Sequence, residues 1–294
     1  MLKNTFFYII GIVFLMLAKI KNHLKGYASR SFNVSEVDKC IEYDINIVEN
    51  WLSHLQKYTH DANYLAGKHV LELGPGDDLG IGLYLLSKGC SQYDACDVHD
   101  LMQYTPDSFY EQFFEKLAAI NNQADIGFLK AQFIAAKQGN SSKLNYKVSH
   151  DFNLVSAFGE ASVDLVFSQA AFECFDDIET TVSQLNVVCK SGAILLAEID
   201  LQSHSRGIRD WDPNYIHRYP RWVYNLFWFR GIPNRLRPYQ YKEAFERAGW
   251  TDISIVPLKK LDDLDKSYAG VYKDFADHKN QMDYLSIMFC ARKG

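Results

Sequence analysis

The 294-residue chain is 48% hydrophobic and carries a formal net charge of −5. That apolar content fills a large core and excludes a globally disordered chain. The acidic balance excludes a nucleic-acid binder that works through overall charge, so no nucleic-acid partner is expected.

Phe6 to Ala18 is a continuous apolar run, with Lys3 before it and Lys19, Lys21, Lys25 and Arg30 after it. As a helix at ~1.5 Å per residue it spans about 20 Å, short of a ~30 Å hydrocarbon core. Leu2 to Ile20 nearly crosses if the flanking lysines snorkel. Leu17-Ala18-Lys19 is a poor cleavage site. Residues 1–30 therefore read as an uncleaved membrane anchor or interfacial helix, the alternative being a helix packed on the globular body. The positive charge after the run would keep the rest of the chain on the cytoplasmic side. A cytoplasmic, membrane-associated protein is expected.

Ser35 to about Tyr58 reads as an amphipathic helix, with Val37, Ile41, Ile45, Val48, Leu52 and Leu55 at three- and four-residue steps. Lys68 to Leu73 is a short apolar strand ending in Gly74-Pro75-Gly76, and Ile81 to Lys88 suits a helix. Tyr93 to Val98 is a second strand, 101–140 a long helical insertion, and Tyr146 to Val148 a third strand. Val163 to Phe167 is a fourth strand, Ile178 to Cys189 a helix, and Ala193 to Ile199 a fifth strand. Tyr241 to Ala248 is a helix, followed by strands at Asp252 to Val256 and Tyr284 to Cys290. The alternation predicts an α/β, doubly wound, mostly parallel seven-stranded sheet with helices on both faces and a C-terminal antiparallel edge. Residues 31–294 form its single domain. The six cysteines form no C-x-x-C pair and share no metal-ligand spacing with a histidine cluster, so reduced thiols and no metal site are expected.

A strand running into a glycine turn and then a helix is a ligand site by geometry, because glycine lets the backbone approach a ligand closely. A dinucleotide fingerprint would need a third glycine at Leu79. Asp97, at the end of the second strand, can accept hydrogen bonds from both ribose hydroxyls of an adenosine ligand; Asp94 and Asp100 compete for that role.

Val70-Leu71-Glu72-Leu73-Gly74-Pro75-Gly76, Asp97, Ser162 to Ser168 and Val188 to Leu196 together resemble the class I S-adenosylmethionine-dependent methyltransferases, with Ser191 where proline is usual. The resemblance implies S-adenosylmethionine as cofactor. It implies Glu72 at the methionine amino group and Gly74, Pro75 and Gly76 as the close-approach turn. Asp97 would then hold the ribose and Asp151 the adenine amine, and Ser168, at the end of the fourth-strand motif, joins them as a cofactor-binding residue. Many relatives read Glu-His where this chain has Glu173-Cys174, so a histidine base is absent there.

Seven of the ten arginines and three of the five tryptophans fall between Arg206 and Arg237. The family usually places an acceptor-binding lid there, at about 201–238. Arginine forks suit anionic groups and aromatic faces suit rings, which makes Arg218, Arg221 and Trp222 the acceptor-binding candidates. The alternative is a basic, aromatic surface that packs on the body or touches anionic lipid. Catalytic candidates are His204 and Glu173, with His217 as a third and His99 nearer the cofactor motif. The expected function is methyl transfer from S-adenosylmethionine to a small-molecule, glycan or lipid-linked acceptor. The alternative is a nicotinamide-dependent oxidoreductase on a related sheet, and a non-catalytic scaffold with the cofactor fold is the third reading.

Overall fold

The computed structural model describes residues 2–25, 36–140 and 142–294; Arg30 and Ser35, named above, lie outside them. Seven strands build one sheet: β1 (His69–Leu73), β2 (Gln92–Asp97), β3 (Leu144–Val148), β4 (Val163–Gln169), β5 (Cys189–Asp200), β6 (Trp250–Lys260) and β7 (Tyr284–Lys293). Their order is β3-β2-β1-β4-β5-β7-β6. Neighbours among β1 to β5 pair parallel, and β7 runs antiparallel to both β5 and β6.

The C-terminal antiparallel edge expected from the sequence is the β6–β7 pair, with β7 one place inside and β6 outermost. Residues 285–291 of β7 are buried without a break, whereas β6 is largely exposed and ends in two lysines. A strand with two buried faces belongs inside a sheet, and a polar, lysine-bearing strand protects an edge from pairing with other chains.

One face of the sheet is covered by α2 (Val37–Thr59), α3 (Gly80–Ser87), α4 (Asp107–Ile120) and α5 (Ile126–Lys137). In α2, Cys40, Ile41, Asp44, Ile47, Val48, Trp51 and Leu55 form the buried stripe, and the Trp51 ring stacks on Phe167 of β4 at 4.6 Å and 4°. The expected insertion at 101–140 is α4 and α5; Phe109, Phe113, Leu117 and Leu129 join this core rather than a separate lobe. The opposite face carries α6 (Leu154–Phe158), α7 (Ile178–Val188) and, beyond the lid, α10 (Pro238–Arg247).

The third core is formed by the N-terminal helix α1 (Leu2–Lys25) with the segment after β5, which holds α8 (Arg206–Arg209) and α9 (Arg221–Asn225). Leu15 buries against Ile208, Tyr215, Tyr219 and Val223. The Tyr219 hydroxyl donates to the Tyr8 carbonyl at 2.7 Å, and the Lys19 ammonium donates to the Leu226 carbonyl at 2.9 Å. The other side of α1 is open: Phe6, Ile9, Leu17 and Leu24 are each at least half exposed. The last helix, α11 (Leu264–Tyr268), sits in the connection between β6 and β7.

Candidate active site

The chain leaves β1 at Gly74, with φ +69°, and passes Gly76, with φ +80°. Both values lie in the left-handed region that favours glycine. A Cβ on Gly74 would also lie 2.6 Å from the Ala171 Cβ, so space and conformation both demand glycine there. The Gly74 N–H donates to the Cys96 carbonyl at 2.9 Å, which ties the turn to the end of β2 one residue before Asp97. Pro75 is buried within the turn.

Asp97 is 6% exposed, and its Oδ1 accepts the His99 N–H at 2.9 Å. Burial raises its pKa against the lowering effect of the His99, Val98 and Gly76 amides. Asp97 lines a cleft with Gly74, Asp151, Phe152, Cys174 and Arg230. The cleft opens beyond the carboxyl ends of β1, β2 and β4, where the strand order reverses; parallel sheets place ligands at such a point. Asp151 is exposed and accepts from the Ser149 hydroxyl at 3.0 Å and the Asn153 N–H at 3.2 Å.

Glu72 is fully buried in β1 and accepts from the Tyr93 hydroxyl. Asp44 of α2 and Asp78 of the loop are close by. A Cβ on Gly80 would lie 2.2 Å from Asp44 Oδ2 and 3.0 Å from Asp78 Oδ1, and the Tyr93 hydroxyl feels the charge of all three carboxylates. The turn thus sits over three buried carboxyl groups, of which Asp44 and Asp78 were not singled out in the sequence. Ser168 is fully buried and donates to the Leu73 carbonyl at 3.0 Å, so it fastens β4 to β1 and does not line the cleft.

Asp94 faces elsewhere. It accepts from His69 at 2.6 Å and Asn145 at 2.7 Å, and it does not line the cleft.

Glu173 and Cys174 sit on the short turn after β4, and His204 follows β5. Because β4 and β5 are neighbours, the turn and His204 meet: His204 Nε2 lies 3.7 Å from Glu173 Oε1. The Glu173 side chain is 3% exposed, burial raises its pKa, and neither of its oxygens has a hydrogen-bond partner among the described residues. Cys174 faces the cleft in front of it.

The acceptor candidates of the lid fall away from the cleft. Arg218 is buried, its Nε 2.5 Å from Asp212 Oδ2 and its guanidinium over the Phe7 ring at 5.6 Å, so it is paired with Asp212 inside the third core, although its Nη1 has no hydrogen-bond partner among the described residues. Arg221 and Trp222 are exposed and do not line the cleft. Arg230 is the arginine of this segment that does, and its Nη2 donates to the His150 carbonyl at 2.6 Å. His217 is buried edge-on to Phe275, and burial pushes its pKa well down. His99 lines the cleft beside Asp97.

No family model matches the sequence, and no curated protein matches it. Several solved structures are similar. One is the CurJ carbon methyltransferase, at 13% identity over 78% of this chain and 49% of that one, with a TM-score of 0.42. Another is an S-adenosylmethionine-dependent methyltransferase from Archaeoglobus fulgidus, at 14% identity over 84% and 94%, TM-score 0.45. A third is phosphoethanolamine N-methyltransferase 2 from Haemonchus contortus in complex with S-adenosylmethionine, at 14% identity over 78% and 49%, TM-score 0.43. This chain spans about half the length of the first and third.

Proposed function

We propose that this chain is an S-adenosylmethionine-dependent methyltransferase. One observation carries the reading: the Gly74-Pro75-Gly76 turn is hydrogen-bonded to the end of β2, with Asp97 beside it in a cleft at the sheet's switch point. Asp97 lines the cleft and can accept from two ribose hydroxyls, and Asp151 and Phe152 wall the cleft where an adenine would lie. The carboxyl groups of Asp44, Glu72 and Asp78, buried behind the glycine turn and outside the cleft lining, would favour the ammonium of a ligand held at that turn over its carboxylate. When bound, S-adenosylmethionine supplies an electrophilic methyl group on its sulfonium. The protein's own work is to align the acceptor with it and to exclude water.

The start of α3 weighs against a nicotinamide dinucleotide, because the Gly80 N–H there already donates to Asp78 Oδ1 at 2.8 Å. The pyrophosphate of such a ligand would sit at the glycine turn and the start of α3, where Asp78 stands. At the acceptor end, Arg230 favours an anionic or polar group, and Glu173 and His204 are the candidate catalytic pair.

Membrane contact is part of the proposal. Among the described residues one helix, Asn4–Leu24, is long and apolar enough to cross a membrane, and only 11% of its span is buried. We place it flat in the interface, because the lid already covers one of its sides while the other is apolar, free of acidic residues and followed by Lys21. Trp211, Trp222 and Trp228 of the lid are each at least half exposed and suit the same interface. A lipid-linked acceptor with an anionic head group fits this placement.

Calorimetry with S-adenosylhomocysteine and with NAD tests the cofactor, and transfer of labelled methyl into lipid, glycan and small-molecule fractions tests the acceptor. Binding of NAD in preference to S-adenosylhomocysteine would sink the reading.

A further inference from the structure

We propose that Glu173, Cys174 and His204 form a binding site for a single zinc-type divalent metal ion at the wall of the cleft. Their ligand atoms, a carboxylate oxygen, a thiol sulfur and an imidazole nitrogen, all lie within 4.8 Å of one another. Ligands bound at 2.0–2.3 Å around a tetrahedral ion are roughly 3.3–3.8 Å apart, so the trio needs to close by about 1 Å. The Glu173–His204 separation of 3.7 Å is already within that range.

The independent observation is Glu173 itself. Its carboxylate is buried with no hydrogen-bond partner for either oxygen among the described residues. Leaving such a group without compensation is costly. His204 alone compensates poorly, since 3.7 Å is beyond a hydrogen bond and its side chain is 44% exposed. A cation between the three groups satisfies the carboxylate and turns the half-buried Cys174 thiol into a ligand thiolate.

The turn is built to hold still. The Asn234 N–H donates to the Glu173 carbonyl at 2.7 Å, and its side-chain amide donates to the Phe172 and Phe175 carbonyls at 2.9 and 3.2 Å. A mixed N, O and S donor set selects zinc or a neighbouring transition metal over magnesium or calcium. Three protein ligands leave one position open, as in catalytic rather than structural sites. Cys174 lines the cleft, so a metal held there would adjoin it. The open position can take the hydroxyl, amine or thiol of an acceptor; this last clause rests on the methyl-transfer reading, and the metal site does not.

The test uses the full-length protein in detergent, stripped with a chelator and titrated with Zn²⁺ against a chromophoric competitor and separately with Co²⁺. One equivalent of zinc per chain is expected, together with a thiolate-to-cobalt charge-transfer band. Cys174→Ser should remove the band, and Glu173→Gln and His204→Gln should each weaken zinc binding by roughly tenfold or more. Far-UV circular dichroism and thermal unfolding, measured in parallel, report that each variant is folded, and binding of S-adenosylhomocysteine is measured separately on the wild type. His204 is half exposed, so His204→Gln keeps the test decisive if Glu173→Gln does not fold. Wild-type protein that binds no more zinc than Cys174→Ser, or binds cobalt without the thiolate band, overturns the proposal. Zinc bound as expected by a protein that does not bind S-adenosylhomocysteine would overturn the methyl-transfer reading and leave the metal site standing.

Discussion

Asp94 and Asp97 stand three residues apart on β2 and meet different surroundings. Asp97 lies at the cleft, and its replacement by alanine removes two charge-assisted acceptors from the ribose. The expected loss is about 2–4 kcal/mol, or roughly thirtyfold or more in S-adenosylmethionine affinity by calorimetry. Unchanged affinity would remove the ribose from this position. Asp94 is a stability residue. Burial works against its charge, but hydrogen bonds from His69, Asn145 and Gln92 outweigh burial and hold its pKa below the ordinary 3.8. A depressed folded-state pKa stabilises the protein above about pH 4, and that stabilisation is lost as pH falls through the folded value. Asp94→Asn should therefore cost about 1–3 kcal/mol in urea unfolding at pH 7, with the gap to wild type closing towards pH 3. A gap that is the same at both pH values would show that the charge on Asp94 is irrelevant. Glu72, Gly74 and Asp97 are legible in the sequence because a glycine turn and the acid on the following strand are local in sequence. The meeting of Glu173 with His204 is not, since 31 residues separate them and only the adjacency of β4 and β5 joins them. Burial also hides from sequence. Arg237 reads as one more lid arginine, yet it is fully buried and donates to the carbonyls of Leu201, Asn280, Gln281 and Tyr284, pinning the lid's end to the start of β7.

Among the elements, α1 and the lid are fitted to each other most closely at one glycine. A Cβ on Gly11 would lie 2.2 Å from the Tyr219 hydroxyl and 2.9 Å from the Tyr215 ring. Gly11→Leu should force α1 off the lid, at an overpacking cost of about 1–3 kcal/mol. Residues 206–232 should then exchange amide hydrogens faster and be cut sooner by protease, with cofactor affinity retained. Unchanged protection of the lid would mean that α1 does not hold it. The apolar run of α1 is plain in the sequence, but both of its faces are apolar, so the pattern cannot say that one is already taken. The strands are read well by their short apolar runs between turn residues. The position of β7 is not, because a run such as Leu-Ser-Ile-Met-Phe-Cys-Ala marks a strand buried on both faces without naming its neighbours.

Over the whole molecule, the three cores divide the labour: two clamp the sheet and hold the cleft, and the third joins α1 to the lid. Deleting residues 2–25 should therefore have two effects at once. Flotation with anionic vesicles should be lost, and the lid, stripped of Leu15 and its neighbours, should loosen, while S-adenosylhomocysteine still binds. Flotation that survives the deletion would transfer membrane contact to Trp211, Trp222 and Trp228. The third core also has a history in time. Tyr8 and Tyr219 are 211 residues apart in the chain, and a ribosome adding about 5–20 residues per second takes roughly 10–40 s to make the second after the first. For that interval the apolar helix exists without the surface that will cover it, and the first greasy partner it meets is something other than its own lid.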